Sequence, residues 1–276
     1  MTTTFRSFFY SHKMMVISSF ILGIIFIIAL IAPYIMPNDP TLVDSINRLQ
    51  TPSWTYPLGT DHLGRCILSR ILFGARISLG YALVIFCSAL GIGLVVGVIA
   101  GYVGGWVDQV LMRFADGLMS IPSLIFVLGF VGIWGAGPTQ VIIGLVLVQW
   151  VYYARVVRGM VLSLKSQNYI TAARISGSSS VAIIRKHILP NILPSLAVIG
   201  TLEMGWSIMS LSSLSFLGLG IQPPTPEWGS MILEGKSYIR TNPMVMVYPG
   251  AMIMLVVISF NLLGESLSEK YAVKRR

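Results

Sequence analysis

The chain has 276 residues, of which 55% are hydrophobic and only 11% are charged. Soluble globular domains carry roughly 25% charged residues, so this composition excludes a soluble protein and indicates a chain embedded in lipid. The net charge of +9 does not indicate a nucleic-acid binder, because the basic residues lie in short links between apolar runs and not on one solvated face. No G-x-x-x-x-G-K-[ST] loop occurs, so if ATP drives this protein, another chain must bind it.

The first apolar run predicts a membrane span that follows a short basic N-terminus. Residues 1–13 contain Arg6 and Lys13 but no acidic residue, and residues 14–38 are all uncharged. A helix needs about 20 apolar residues to cross a bilayer, so this run is long enough. A cleaved signal peptide is the alternative, but the run exceeds the usual 7–15 residues and lacks a clear A-x-A site. We therefore expect a retained first span.

Residues 39–76 form the one long polar interval near the N-terminus and are predicted to lie outside the membrane. Thr60 or Asp61 is suited to capping a helix, and the apolar positions of 67–72 fall on one face. This pattern predicts a short helix along the membrane surface. The alternative is a substrate or metal site formed by three neighbouring polar residues: Asp61, His62 and Arg65.

A second span is predicted within the 31 uncharged residues from 77 to 107. Small residues recur at every fourth position in the second half of this run: Ala89, Gly93, Gly97, Gly101 and Gly105. Small side chains at this spacing allow two helix backbones to approach closely in lipid, so the stripe predicts a packing face.

Charged residues return between Asp108 and Asp116 and then disappear for 38 residues. Arg113 lies three residues before Asp116, which predicts a local ion pair at the beginning of a span. The uncharged run 117–154 is too long for one helix, and the glycines and proline of 132–138 divide it. The sequence therefore predicts a third and a fourth span joined as a hairpin.

The stretch Asn168–Leu196 is polar and basic within an otherwise apolar sequence. Tyr169–Ser176 is predicted to form a short helix, which Gly177 and three serines interrupt. Ser180 is then suited to capping a second helix over Val181–Leu189. Two prolines are expected to end that helix, because proline is poorly tolerated in a helix interior: Pro190 and Pro194.

The fifth span, predicted to begin near Pro194, carries one acidic residue. Acidic residues within membrane helices usually face a bundle interior or a wet cavity, so Glu203 is a candidate for lining a pathway, together with Ser207 and Ser210. An outward-reaching ion pair or a packing role remains open for Glu203. After this span, three prolines predict an external loop with Glu227 and Trp228 exposed or at the headgroups, and residues 241–264 predict a sixth span.

Three motifs resemble signatures of ABC-importer permeases in the dipeptide, oligopeptide and nickel family. The pattern E-A-A-x3-G-x9-I-x-L-P is matched at five positions: Ala172, Ala173, Gly177, Leu189 and Pro190. Thr171 stands in place of its Glu, and His187 in place of its Ile. The stretch 57–66 is similar to L-G-T-D-x-x-G-R-D, with Cys66 in place of the last Asp, and 215–229 resembles a further signature of the same family.

This resemblance implies an all-α membrane protein with six transmembrane helices and a cytoplasmic helix-turn-helix coupling loop, the type I importer fold. It implies a single permease domain over 14–276, with the coupling loop at 156–194, in the second, C-type permease subunit. The implied contacts to an ATPase subunit come from this loop: Thr171, Ala172, Ala173, Arg174, Gly177, Ser178, His187 and Pro190. No catalytic residue, metal ligand or bound cofactor is expected in this chain.

The implied partners are a homologous second permease, two ATP-binding subunits, an external substrate-binding protein and membrane lipid. The ATP is bound by the two ATP-binding subunits. The resemblance also implies import across a bacterial inner membrane. The cargo in this branch is a metal chelate or a short peptide, and Arg174–Gly177 together with Glu203 slightly favours nickel.

The distribution of basic residues predicts the orientation. With six spans and a cytoplasmic N-terminus, thirteen of the 19 Lys and Arg residues fall on the cytoplasmic side, which agrees with positive-inside insertion. Both termini are then cytoplasmic. Three arginines on the external side are not explained by charge alone: Arg65, Arg70 and Arg76.

Two other classes of protein remain as alternatives. A secondary transporter or channel would also have few charges, but it is expected to show repeated halves with matching broken helices, and no internal repeat is found. A membrane-embedded enzyme would need its three histidines together, whereas His12, His62 and His187 fall on different predicted sides of the membrane.

Overall fold

The computed structural model describes the backbone of residues 2–274 and the side chains of residues 13–270. Within that range the chain is built from helices and has no β-strand, apart from one isolated bridge between Thr60 and Cys66. The helices are α1 (Thr2–Ile35), α2 (Ile67–Val103), α3 (Gly105–Met119), α4 (Ser123–Trp134), α5 (Pro138–Lys165), α6 (Asn168–Ile175), α7 (Ser180–Ile183), α8 (Leu189–Phe216), α9 (Trp228–Gly235) and α10 (Met244–Lys274). The prediction of an all-α protein is confirmed.

Five helices in the described range are long and apolar enough to cross a membrane, and a bent pair of helices brings the number to six if the pair is counted as one span. The five are α1, α2, α5, α8 in continuation of α7, and α10. The bent pair is α3 and α4, which meet at 83° across a break of residues 120–122. Pro122 lies in this break, where its ring and missing N–H oppose a continuous helix. Five of the six predicted spans are present, and the bent pair lies where the third was expected but begins earlier in the chain, at Gly105.

The small-residue stripe of α2 packs against α5, as predicted. A Cβ atom added at Gly93 would lie 2.4 Å from the Cβ of Tyr153, and one at Gly97 would lie 2.5 Å from the carbonyl oxygen of Ala154. A Cβ at Gly101 would lie 2.9 Å from the Cβ of Val161. These distances are too short for any side chain, so the stripe lets the two backbones approach closely.

The predicted surface helix is wrong, because residues 67–72 are the first turns of α2. Ile67 and Ile71 are buried in the bundle core. The predicted caps are wrong as well. Cys66 precedes the helix without a side-chain cap, and Asp61 instead accepts hydrogen bonds from the backbone N–H groups of Leu63 and Arg65.

The predicted local ion pair in α3 is also wrong, because the charges pair across to α5. Arg158 donates to both carboxylate oxygens of Asp108, at 2.5 and 2.6 Å, and Arg155 pairs with Asp116. The planar guanidinium suits such a two-point contact with a carboxylate. These pairs join α3 to α5 at two positions.

The loop predicted to expose Glu227 and Trp228 folds back into the protein instead. Both residues are 0% exposed. The Glu227 carboxylate caps α9 by accepting from the Ser230 backbone N–H, and the Trp228 indole donates to the carbonyl oxygen of Ile71. Three prolines do exclude a long helix here, but they do not prevent a short one from beginning directly after them.

Candidate functional site

The segment Asn168–Leu196 contains two short helices joined by a tight turn at Gly177. Gly177 has a φ of +80°, a conformation that L side chains rarely adopt. Its N–H donates to the carbonyl oxygen of Arg174, and the next N–H, of Ser178, donates to that of Ala173. This pair of bonds is a Schellman motif, which satisfies the carbonyl groups at the end of α6. The predicted helix–glycine–helix arrangement is present, with Ser179 and not Ser180 as the cap of the second helix.

Pro190 and Pro194 do not end the second helix, contrary to the prediction. The helical path from Ser180 to Phe216 is continuous over 37 residues. It widens into a π-helical turn at Ile184–Ile188, where the Leu189 N–H donates to the carbonyl oxygen of Ile184. A proline crowds the carbonyl group of the residue four positions earlier, and the wider turn before Pro190 relieves that crowding. The second short helix is therefore continuous with α8.

The segment is anchored by one apolar face and exposes the rest. Ile170, Ile183 and Ile188 are buried against Val157 and Val161 of α5. The residues predicted to contact an ATPase lie on the other side. Six are exposed and two are half-buried: Thr171, Ala172, Arg174, Gly177, Ser178 and Pro190, then Ala173 and His187.

Two large apolar side chains are exposed on either side of the turn. Ile175 is 83% exposed and Val181 is 74% exposed, and the exposed basic residues Arg185 and Lys186 lie nearby in the sequence. Contiguous exposed apolar surface with a polar border is typical of protein contact sites. The arrangement suits insertion of the turn into an apolar cleft on another protein.

A second candidate site is a cavity of about 490 Å³ beside the break between α3 and α4. Glu203, near the middle of α8, lines this cavity together with Tyr152 and Gln149 of α5 and with Trp206. Within the described part of the chain, the Glu203 carboxylate takes part in no ion pair and accepts no hydrogen bond. An acidic side chain thus faces open space in the predicted fifth span.

The two predicted serines lie close to this cavity but differ in position. Ser207 is buried, and its hydroxyl lies 3.2 Å from Gln149 Oε1 and 3.0 Å from the Glu203 carbonyl oxygen. Ser210 lines an adjoining cavity of about 280 Å³, which also touches Gln149 and Trp206. Ser207 therefore positions Gln149, whereas Ser210 faces the open space.

A group of four buried charges, here named the charge quartet, lies at the opposite end of the bundle from Gly177: Asp61, Arg65, Arg70 and Glu234. Arg65 donates to Asp61 Oδ2 at 2.7 Å and to Glu234 Oε2 at 2.9 Å. Arg70 donates to the same Glu234 oxygen at 2.6 Å. Both arginine side chains are 1% exposed. This pairing explains two of the three arginines that charge alone did not.

The quartet does not support the alternative in which Asp61, His62 and Arg65 form a substrate or metal site. Asp61 and Arg65 are committed to each other, and no group of three or more His, Cys, Asp or Glu residues in the described part of the chain is arranged to hold a metal ion. The His62 ring stacks on Tyr238 at a centroid distance of 5.5 Å. Burial lowers the pKa of His62, against the opposing effect of Asp61 and Glu234.

Sequence reasoning missed four residues that define these sites: Gln149, Tyr152, Trp206 and Glu234. Gln149 carried a readable signal, because it is a lone amide within an apolar run, and such residues seldom face lipid. Glu234 carried none, because it pairs with residues 164 and 169 positions away.

Residues 93–273 match the family described as binding-protein-dependent transport system inner membrane component. Residues 3–52 match the N-terminal TM domain of oligopeptide transport permease C.

Three curated proteins are similar over almost the whole chain. The nickel transport system permease protein NikC of Escherichia coli (strain K12) is 40% identical, covering 95% of both chains. The glutathione transport system permease protein GsiD of Pectobacterium atrosepticum is 40% identical, covering 96% of this chain and 88% of the relative. The dipeptide transport system permease protein DppC of Alkalihalophilus pseudofirmus is 36% identical, covering 94% and 85%.

A solved structure, an inward-facing conformation of the MetNI methionine ABC transporter, has a similar fold. The TM-score is 0.61 at 20% sequence identity, and the match covers 72% of this chain and 94% of the other. The likeness supports the helical permease architecture described above.

Proposed function

The chain belongs to the family of binding-protein-dependent transport system inner membrane components, as a C-type permease subunit of an ABC importer, and on that premise we propose its cargo, its partners and its mode of coupling. The cargo is a nickel ion or another metal chelate, slightly favoured, or a di- or oligopeptide. The names of the relatives support both, because nickel, glutathione and dipeptide permeases match at 36–40% identity. Family membership favours ATP-coupled import over a secondary transporter or channel.

The proposed assembly contains a homologous second permease that completes the pore, two ATP-binding subunits and an external substrate-binding protein. The chain itself is non-catalytic and binds no cofactor, since the ATP is bound by the partner subunits. Both termini and the segment Asn168–Leu196 lie in the cytoplasm. The packing of α10 on α8 supports placing the end of α10 on the same side as this segment. Gly264 packs on Thr201 and Gly205 packs on Val257, so the two helices run antiparallel.

The proposed mechanism is that the turn at Gly177 inserts into a cleft on an ATP-binding subunit. The observation that carries it is the unbroken helix from Ser180 to Phe216. At about 1.5 Å per residue, this helix spans about 35 Å between Ser180 and Glu203. A displacement imposed at the exposed turn is therefore transmitted as a rigid tilt to the cavity that Glu203 lines. ATP-driven closure of the two ATP-binding subunits supplies the displacement.

Replacing Gly177 by valine tests this mechanism. A Cβ atom at this position meets nothing within 4 Å, so the change causes no clash within the chain, but the positive φ costs a β-branched residue about 1–2 kcal/mol or more. We expect Gly177→Val to distort the turn and abolish uptake. Uptake of radioactive Ni²⁺ and of a labelled dipeptide is measured in cells that carry the complete transporter.

The matched control is Gly177→Asn, because asparagine tolerates positive φ better than valine. This variant is expected to retain most of the uptake. Both variants must reach the membrane at wild-type levels, as shown by immunoblotting of membrane fractions. Normal uptake by Gly177→Val at that level would refute the proposed coupling.

A further inference from the structure

The cavity beside Glu203 combines two kinds of chemistry that suit a positively charged group. The Glu203 carboxylate is the only acidic side chain lining it and has no cation partner within the described residues. Acidic groups in membrane spans are costly and are generally paired or functional. The structure therefore contains a negative charge with no counter-charge from this chain.

Two aromatic side chains border the same cavity. Tyr152 is 42% exposed and Trp206 is 56% exposed, so both rings remain accessible from the open space. Aromatic faces attract cations, tryptophan most strongly, and the attraction grows when water is excluded. A carboxylate between two accessible rings thus favours a compact cation over a neutral group of the same size.

Gln149 also lines this cavity, but its amide donor does not reach the open space. Its Oε1 atom lies within hydrogen-bond distance of Ser207, and its Nε2 atom is inaccessible and has no hydrogen-bond partner. An N–H donor would in any case repel a cation. The wall therefore presents an anion and two aromatic faces to a bound molecule.

The composition of the wall also limits how a metal ion can bind there. Protein metal sites need several His, Cys, Asp or Glu ligands, and no cluster of three or more such residues occurs in the described part of the chain. A single carboxylate is too few to replace the ligands of a metal ion. A metal in this cavity would keep its own ligands and would contact the protein through them.

We propose that Glu203, Tyr152 and Trp206 form a selective site for a cationic group of the cargo, either an ammonium or the outer ligands of a positively charged metal complex. This inference rests on the proposed function, because it takes the cavity to be part of the translocation pathway. A basic side chain from the second permease is the competing occupant, and it would leave no room for the cargo's charge.

The test uses the purified complex of the chain with its second permease and ATP-binding subunits, in lipid nanodiscs. The fluorescence difference between the wild-type and Trp206→Phe complexes isolates the signal of Trp206 among the six tryptophans of the chain. Three probes are titrated: hexaamminecobalt(III), which cannot exchange its ligands, L-alanyl-L-alaninamide, which carries one ammonium, and its neutral N-acetyl derivative.

We expect at least one cationic probe to change the Trp206 signal saturably, and the neutral probe to leave it unchanged. A response to hexaamminecobalt(III) alone identifies a metal complex as the favoured cargo, and a response to the dipeptide amide alone identifies an ammonium. Glu203→Gln should weaken the response by about tenfold or more, because a charge contact of this kind is strong away from bulk water. Glu203→Asp should weaken it less, and the exposed control Glu269→Gln should not change it.

The inference is overturned if neither cationic probe gives a saturable response, or if Glu203→Gln responds as the wild type does. ATP hydrolysis by the same preparation separates this failure from that of the proposed function. An active ATPase without a probe response refutes only the cation site. A chain that purifies without any ATP-hydrolysing subunit refutes the proposed function itself.

Discussion

Charged side chains within this bundle occur in two opposite arrangements. Those of the charge quartet pair with one another, whereas Glu203 has no charged partner among the described residues. In the quartet, two carboxylates meet two guanidinium groups at hydrogen-bond distances, and the four side chains are nearly inaccessible to solvent. Glu203 faces a cavity with no counter-charge from the described chain. Paired charges of opposite sign hold elements together, although Arg70 Nη1 is buried without a hydrogen-bond partner. An unpaired charge inside a membrane protein is costly and is generally kept for function.

The four residues of the quartet come from different parts of the chain, which the quartet therefore connects. Asp61 and Arg65 belong to the polar segment before α2, Arg70 to the first turns of α2, and Glu234 to α9. The quartet therefore joins the segment that follows the first span to the helix that precedes the last. It closes one end of the bundle, while the exposed turn at Gly177 leaves the other end free to contact a partner.

The largest expected effect comes from breaking the quartet. Arg70→Met leaves Glu234 with one cation fewer and gives the buried cluster a net negative charge, which costs about 3–5 kcal/mol. We expect the midpoint of thermal unfolding of the purified complex to fall markedly. The change is measured by the loss of monodisperse complex after heating.

The double variant Arg70→Met with Glu234→Gln is the matched control for this prediction. It restores a neutral cluster, because Arg65 still pairs with Asp61, so part of the lost stability should return. If Arg70→Met alone unfolds at the wild-type temperature, the quartet does not hold the end of the bundle, and the contrast with Glu203 fails.

A smaller effect of opposite sign is expected when Glu203 is neutralised. Removing an unpaired charge from a half-buried position relieves desolvation, and residues kept for function often lower stability. Glu203→Gln should therefore unfold at the same temperature as the wild type or slightly above it, because its free energy of unfolding rises by about 1 kcal/mol at most. A clear loss of stability in the same heating assay would show that Glu203 has a structural partner, such as a basic residue of the second permease.

The sequence predicted those features that depend on local spacing. The stripe from Gly93 to Gly101 predicted a face of α2 for close packing, because small residues four apart lie on one helix face, and the structure shows that its partner is α5. The glycine and serines at 177–180 predicted a turn between two short helices, because glycine alone readily adopts the positive φ observed there. In both cases the deciding residues lie within a few positions of one another.

The wrong predictions concern features that depend on residues distant in sequence, or on residue types that are compatible with more than one local structure. Glu227 was expected at the surface, but it is buried because Ser78 and Ser212 donate to its carboxylate from α2 and α8. Pro190 was expected to end a helix, yet it lies inside the continuous helical path from Ser180 to Phe216, because the π-helical turn at Ile184–Ile188 makes room for its ring. Neither outcome can be read from the residues that flank these positions.

The smallest predicted effect tests whether the quartet carries net negative charge. His62 lies beside it, and Asp61 and Glu234 raise its pKa, but burial outweighs them and the pKa of His62 is lowered from 6.5. Two guanidinium groups already neutralise the two carboxylates, so a third cation is not stabilised there. The unfolded state then binds more protons than the folded state below about pH 6.5, and stability should rise with pH through that range and level off above it.

His62→Phe removes the titrating group and keeps an aromatic ring to stack on Tyr238. The variant should show a shallower dependence of the unfolding temperature on pH between pH 5.5 and 7.5 than the wild type, with the two proteins most alike at the upper end. Equal slopes would assign the titration to another group. If the unfolding temperature of the wild type instead fell more steeply than that of the variant toward high pH, His62 would be protonated in the folded state. The quartet would then retain negative charge that its arginines do not neutralise. In that case the quartet, like Glu203, would carry negative charge without a partner, and the two regions would differ only in how much of it they carry.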